Sequence, residues 1–237
     1  MSDSKPLGQK AYGSIPHLPG SKRGPGDHGL EEKQAALLLD GRRGWTIVTQ
    51  EKLDGACVSV AKIGGEIVAL GRAGYPALSS PYPHMRAFDA WVQERRDRFE
   101  RLFAGVHDGE RVVGEWMLMA HGLRYLIAQP DDLFVAFDLM VGHERKLPAV
   151  VAERCGGVGL AYAYDTQWAP GRTASRFPAE GPAEGIVYRA IEDRVSKIRF
   201  LGKWVRPDFE AGRYLSNEHP VWNYPPHLVT SASKVAA

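Results

Sequence analysis

The chain is 237 residues long, 44% hydrophobic and 24% charged, with a formal net charge of +2. That length suits one large domain or two small ones with ample core, and the charge is too small to mark a nucleic-acid binder by itself, although 30 Lys and Arg against 28 acids leave room for a local basic face. Two cysteines, Cys57 and Cys155, argue against a disulfide scaffold and a cysteine-built zinc site and fit a reducing cytosol. The first residues, MSDSKPLGQK, hold no apolar signal-peptide core, and no run approaches the length of a membrane span, so the expectation is a soluble cytoplasmic protein.

Residues 11–29, AYGSIPHLPGSKRGPGDHG, are dense in Gly and Pro and read as a long arm carrying Lys22, Arg23 and His28, expected to lie over a ligand. Glu31 to Asp40 reads as a short helix stopped by Gly41. From Trp45 to Arg72 the pattern is strand, turn, strand, turn, strand. Its second turn is Gly64-Gly65, a hairpin signal between β-branched runs. The first turn is Glu51-Lys52-Leu53-Asp54-Gly55. A lysine at a strand end can act as a nucleophile, but only if nearby cations or a metal depress its pKa, so further basic residues are expected to converge on Lys52.

Arg86 to Phe103 reads as one amphipathic helix, with Phe88, Trp91, Val92, Phe99, Leu102 and Phe103 on its core face. Arg111 to Met119 is a strand with Glu115 in its middle, and Asp132 to Val141 an apolar strand broken by Asp138. A short helix from Pro148 to Arg154 and a small strand near Leu160–Tyr164 follow, then an irregular polar stretch at 165–183. Two more strands close the pattern: Glu184 to Arg189, and Val195 to Phe200 with Lys197 and Arg199 at alternate positions on one face. The fold expected is a single α+β domain dominated by antiparallel strands, with an arm and short helix at 1–44, a core at 45–206 and a tail at 207–237.

Charges in or at the ends of buried strands are unfavourable unless paired or bound to something. Lys52, Asp54, Arg72, Glu115, Asp138, Glu184, Lys197 and Arg199 therefore point to a shared polar cleft. Carboxylates among cations suit a divalent metal with a phosphate ligand.

The ordered series EKLDG (51–55), GRAG (71–74), VVGEWM (112–117), LFVAFDLMV (133–141), AEGIVYR (183–189) and SKIRFLGKW (196–204) resembles the covalent nucleotidyltransferases, the ATP-dependent RNA and DNA ligases and capping enzymes. It is most similar to the RNA-repair branch related to the phage double-strand-type RNA ligase, through Tyr12-Gly-Ser-Ile15 and Gly114-Glu115-Trp116. The resemblance implies an adenylation domain built on antiparallel sheets with a nucleotide cleft between them. It implies that Lys52 attacks the ATP α-phosphate and carries AMP, with Glu51 at the adenine edge, Glu115 on the ribose, and Trp116 stacked on the base. Asp54 and Arg72 would lie near the ribose or the nucleic-acid end. Glu184 would hold Mg2+ or Mn2+, and Lys197 the α-phosphate with Arg199 beside it.

Cys57 stands where phage-type members have asparagine, and reads as a small buried hydrophobe. Arg199 makes Lys-x-Arg of the usual Lys-x-Lys, and Lys203-Trp204 reads equally as part of the site or as a rim salt bridge with a packing residue. With about thirty residues after the last motif, no oligonucleotide-binding barrel is expected. The implied activity is an ATP-dependent RNA ligase joining 5′-phosphate and 3′-hydroxyl ends through lysyl-AMP, on RNA ends or a nicked duplex. An accessory protein or self-association would replace the missing barrel. The alternatives are a DNA nick ligase or a non-catalytic nucleotide- or RNA-binding protein of the same fold.

Overall fold

A computed structural model describes residues 4–163, 176–216 and 218–230. Most of the stretch read as irregular at 165–183, its residues 165–175, lies outside the described residues, as does the end of the tail at 231–237. Strands are β1 (Trp45–Lys52), β2 (Ala56–Ile63), β3 (Glu66–Gly71), β4 (Arg111–Trp116), β5 (Phe134–Val141), β6 (Glu144–Arg145), β7 (Ala161–Tyr162), β8 (Gly185–Glu192) and β9 (Lys197–Val205). Helices are α1 (Glu32–Asp40), α2 (Pro83–Glu94), α3 (Arg96–Leu102) and α4 (Pro148–Gly157). None of the described helices is long and apolar enough to cross a membrane.

Two sheets result. One is the antiparallel triplet β1-β8-β9, and the other runs β3-β2-β4-β5-β6 with β7 added in parallel to β5. The α+β antiparallel architecture expected from the alternating strands is present. The Gly64-Gly65 turn has positive φ at both residues, 57° and 82°, the backbone that the β2–β3 hairpin requires and that glycine adopts without strain.

The helix expected over Arg86–Phe103 is two helices broken at Arg95, whose backbone leaves the helical region at φ −111°, ψ 20°. Arg95 is held there by Asp131 at 2.8 Å, with its guanidinium 4.6 Å from the Trp91 ring centre. The break still lets Phe88, Trp91, Val92, Phe99, Leu102 and Phe103 all bury against the large sheet. Burial of each such side chain contributes roughly 1.5–3 kcal/mol, so this face rigidifies the sheet that carries Glu115.

Gly114 is a point of close packing in that sheet. A Cβ there would lie 2.5 Å from the Phe134 ring and 2.7 Å from the Val135 carbonyl, at the register shift between β4 and β5. The arm runs beside β9 rather than over open solvent. Leu18 donates to the Lys203 carbonyl at 2.8 Å, Lys203 donates to Pro16 at 2.9 Å, and Lys22 donates to Val205 at 2.9 Å. Residues 16–22 thus cover an edge whose unpaired N–H and C=O groups would otherwise invite another strand.

Candidate active site between the two sheets

A cleft of about 250 Å3 opens between the sheets. Gln50, Glu51 and Lys52 of β1, Val187 and Arg189 of β8, and Lys203 of β9 line one side, with Cys57, Glu115 and Phe137 of β2, β4 and β5 on the other. Tyr12, Gly13 and Ile15 of the arm and Arg72 at the end of β3 complete it. The sheets are fastened at this level by a buried group. Arg189 pairs with Asp138 at 2.7 Å, donates to Gln50 Oε1 at 2.7 Å and to the Phe137 carbonyl at 3.1 Å. Asp138 also accepts from the Tyr12 hydroxyl at 2.7 Å and pairs with Arg145 at 3.3 Å. Losing one partner of such a pair would strand a buried charge, a change worth about 3–5 kcal/mol.

Lys52 ends β1, opposite Gly185 of β8. Its Nζ lies 2.7 Å from Glu184 Oε2, the residue before β8 begins. Burial works to lower the Lys52 pKa, but Glu184 first and then Glu115 outweigh it, and the net shift is upward. With no ligand the lysine is therefore a protonated, ion-paired cation. The expected depression of the Lys52 pKa is corrected: Lys203 and Arg72 share the cleft, but Glu184 and Glu115 outweigh burial and hold the proton on.

The carboxylates carry the complementary shift. Burial raises the Glu115 carboxyl to about 8, opposed by Lys52, and raises Glu184 to about 7, again opposed by Lys52. Glu115 Oε1 accepts the Gly55 N–H at 3.1 Å, which ties β4 to the turn carrying Lys52. A Cβ on Gly55 would sit 2.6 Å from the Trp116 carbonyl, so the turn needs glycine at that point.

Of the expected site residues, the structure brings Lys52, Glu51, Arg72 and Glu115 to the cleft lining, with Glu184 against Lys52. Arg72 donates to Ser14 Oγ at 2.9 Å, so it braces the arm at the cleft mouth. Glu51 accepts the Arg176 N–H at 2.7 Å. Asp54 faces inward: its Oδ2 accepts the N–H groups of Gly122 at 2.6 Å and Leu123 at 2.7 Å, and its own N–H reaches the Tyr125 hydroxyl at 3.1 Å. It fixes the loop behind the lysine and is not part of the cleft lining.

Lys197 and Arg199 are not brought in. Lys52 is level with Gly185 and Val205, whereas Lys197 is level with Glu192 and Trp45 at the far end of the sheet. Eight residues at about 3.3 Å each put Lys197 on the order of 25 Å along β9 from Val205. Its side chain is 46% exposed and pairs with Glu144, and Arg199 pairs with Glu192 at 2.6 Å. The register also slips between Ala190 and Ile191, so the simple alternation along β9 does not carry through that end.

The strand's cation in the cleft is Lys203. Burial first, then the Lys52 charge, lower its pKa. Trp116 is likewise not in the cleft. It is 1% exposed, its Nε1 donates to the His84 carbonyl at 2.9 Å, and its rings pack on Phe88 and Trp91. The reason is readable from the sequence: neighbouring residues on a strand point to opposite faces, so a cleft-facing Glu115 sends Trp116 into the core. The aromatic walls present are Phe137 and Tyr12, edge to face at 5.3 Å.

Cys57 lines the cleft as a thiol whose pKa burial, and then Glu115, push up, so it stays protonated. Among the described residues no three His, Cys, Asp or Glu side chains gather as a metal site. Glu184 still fits a magnesium ion in that ion's usual manner, which takes one or two carboxylates, several waters and substrate phosphates.

The sequence model of the RNA ligase family matches residues 46–205, and the chain belongs to that family. No curated protein matches it. Solved structures similar to this chain include an archaeal ATP-dependent RNA ligase, 15% identical with a TM-score of 0.48, aligned over 82% of this chain and 48% of that one. A Naegleria gruberi RNA ligase mutant with ATP and Mn is 13% identical with a TM-score of 0.48, over 84% of this chain and 61% of that one. The same organism's RNA ligase with pyrophosphate is 12% identical with a TM-score of 0.49, over 87% and 60% respectively. The chain spans about half to three-fifths of the length of these proteins.

Proposed function

We propose that this protein is an ATP-dependent RNA ligase that joins 5′-phosphate and 3′-hydroxyl ends through a lysyl-AMP intermediate. The observation that carries the reading is Lys52 at a strand end, 2.7 Å from Glu184, in a cleft shared with Glu115, Arg72 and Lys203. Membership of the RNA ligase family supports RNA over DNA as the strand joined.

In this reading Lys52 parts from Glu184 and gives its proton to water before its nitrogen attacks the α-phosphate. The N–P bond forms as the bond to pyrophosphate breaks. AMP then passes to a 5′-phosphate and is released when a 3′-hydroxyl attacks. Lys203 and Arg72 offset the phosphate charge, while Glu115 meets the ribose and Phe137 and Tyr12 wall the base. Such transfers depend on positioning and charge neutralisation more than on further covalent chemistry. A divalent cation, magnesium or manganese, bound at Glu184 and the phosphates would supply positive charge there and compete with Lys52 for the carboxylate.

The test is incubation with α-labelled ATP and magnesium. Wild type takes covalent label that is stable to denaturation, and Lys52→Ala takes none. Equal labelling of Lys52→Ala would remove the assignment.

A further inference from the structure

The cleft is continuous with a second, larger groove of about 970 Å3, and Cys57 and Arg72 line both. One wall is built from Tyr75, Pro76, Tyr82 and His84, and the other from Met119, Leu215 and Trp222. None of the groove's described lining residues is acidic, and Arg72 stands at the junction with the cleft.

Its apolar rings are open to solvent where a buried core would hide them. Tyr82 is 56% exposed and Tyr75 45%. Tyr82 and His84 lie with ring centres 5.8 Å apart and planes 31° apart, which makes one broad aromatic step. Lys5 sits 5.2 Å from the centre of the Tyr75 ring, so a second cation borders the same wall. Helix α2 also starts at Pro83 on this wall, and its dipole adds partial positive charge. Burial, then His121, pushes the His84 pKa down to about 4, so at neutral pH its ring is an uncharged platform.

We propose that this groove holds the unpaired terminal nucleotides of the RNA strand being joined, their bases on the Tyr82–His84 step and the terminal phosphate entering the cleft past Arg72. The inference rests on the ligase reading and adds to it a preference for single-stranded ends. Three features select that occupant. The groove opens into the reaction cleft, its charge suits a polyanion, and stacking platforms take bases only when these are not already stacked in a duplex. Every base has a π-face, so this recognition is tolerant of sequence.

The experiment measures binding by fluorescence anisotropy at fixed salt, with a labelled 5′-phosphorylated single-stranded RNA and the blunt duplex containing the same strand. Wild type is expected to bind the single strand at least tenfold more tightly. Tyr82→Ala should weaken single-strand binding roughly 5- to 150-fold, the equivalent of about 1–3 kcal/mol for one stacked base. Tyr82→Trp should keep it. Tyr82 is a surface side chain, and thermal melting of each variant checks the fold. Equal binding of duplex and single strand overturns the proposal. So does single-strand binding by Tyr82→Ala within twofold of wild type, the outcome expected if the groove instead seats a peptide or a second copy. Labelling of wild type by ATP is run in parallel: a labelled enzyme that ignores single strands refutes the groove alone, whereas an enzyme that takes no label refutes the ligase reading beneath it.

Discussion

Replacing Asp54 separates a positioning carboxylate from a reacting one. Asp54 is 9% exposed, and one of its oxygens accepts two backbone N–H groups, from Gly122 and Leu123. Asp54→Ala leaves both donors inside without an acceptor. At about 1–3 kcal/mol for each stranded group, the expected loss is roughly 2–6 kcal/mol, a large fraction of a domain's stability of about 5–15 kcal/mol. Asp54→Asn keeps a carbonyl oxygen that can accept the same two bonds, so its loss should be roughly 1.5–3 kcal/mol, since hydrogen bonds to charged groups are worth about 1.5–3 kcal/mol and neutral ones about half that. Urea unfolding followed by fluorescence measures both, and ATP labelling is read on the same samples at a temperature where each is folded. The asparagine variant should label within a few-fold of wild type. If it folds as wild type does yet takes no label, the carboxylate's charge acts in the reaction and the positioning role is wrong. If Asp54→Ala unfolds at the wild-type urea concentration, the two bonds are not holding the loop.

The cleft carboxylates make stability depend on pH. Glu115 and Glu184 are raised to about 8 and 7, above their unfolded value of 4.5, so the folded protein holds protons that the unfolded chain releases. Stability should therefore fall as pH rises from about 4.5 toward 8, by on the order of a few kcal/mol. Glu115→Gln keeps an acceptor for Gly55 and should flatten the upper part of that fall; identical Tm-against-pH slopes for variant and wild type would contradict the burial argument. The two ends of β9 also differ. Lys203→Met should cut ATP labelling at least tenfold, while Lys197→Met, whose partner is the exposed Glu144, should stay within about twofold. A reversed order would return the phosphate contact to Lys197.

The sequence determined the strand series and the place of Lys52 within it. Alternation of β-branched and polar residues, with Gly64-Gly65 between runs, suffices for the strands β1 to β3 and the β2–β3 hairpin, because the period of two is local, whereas the pairing of β1 with β8 in the other sheet is a tertiary outcome. The break at Arg95 was not legible, since the apolar stripe continues through it and the cause is a contact with Asp131, distant in sequence. Trp116 could have been placed from strand parity alone, once Glu115 is set toward the cleft. Lys203 could not, because which of three cations on β9 reaches the cleft depends on how that strand registers against β8 and on the slip at Ala190 and Ile191. Arg189 was read only as the end of a strand, and its partner Asp138 comes from the other sheet. The protonation of Lys52 was also a tertiary matter. Composition places 30 cations against 28 acids, and only the packing of β4 and β8 around the end of β1 makes Glu184 and Glu115 the dominant charges on the lysine.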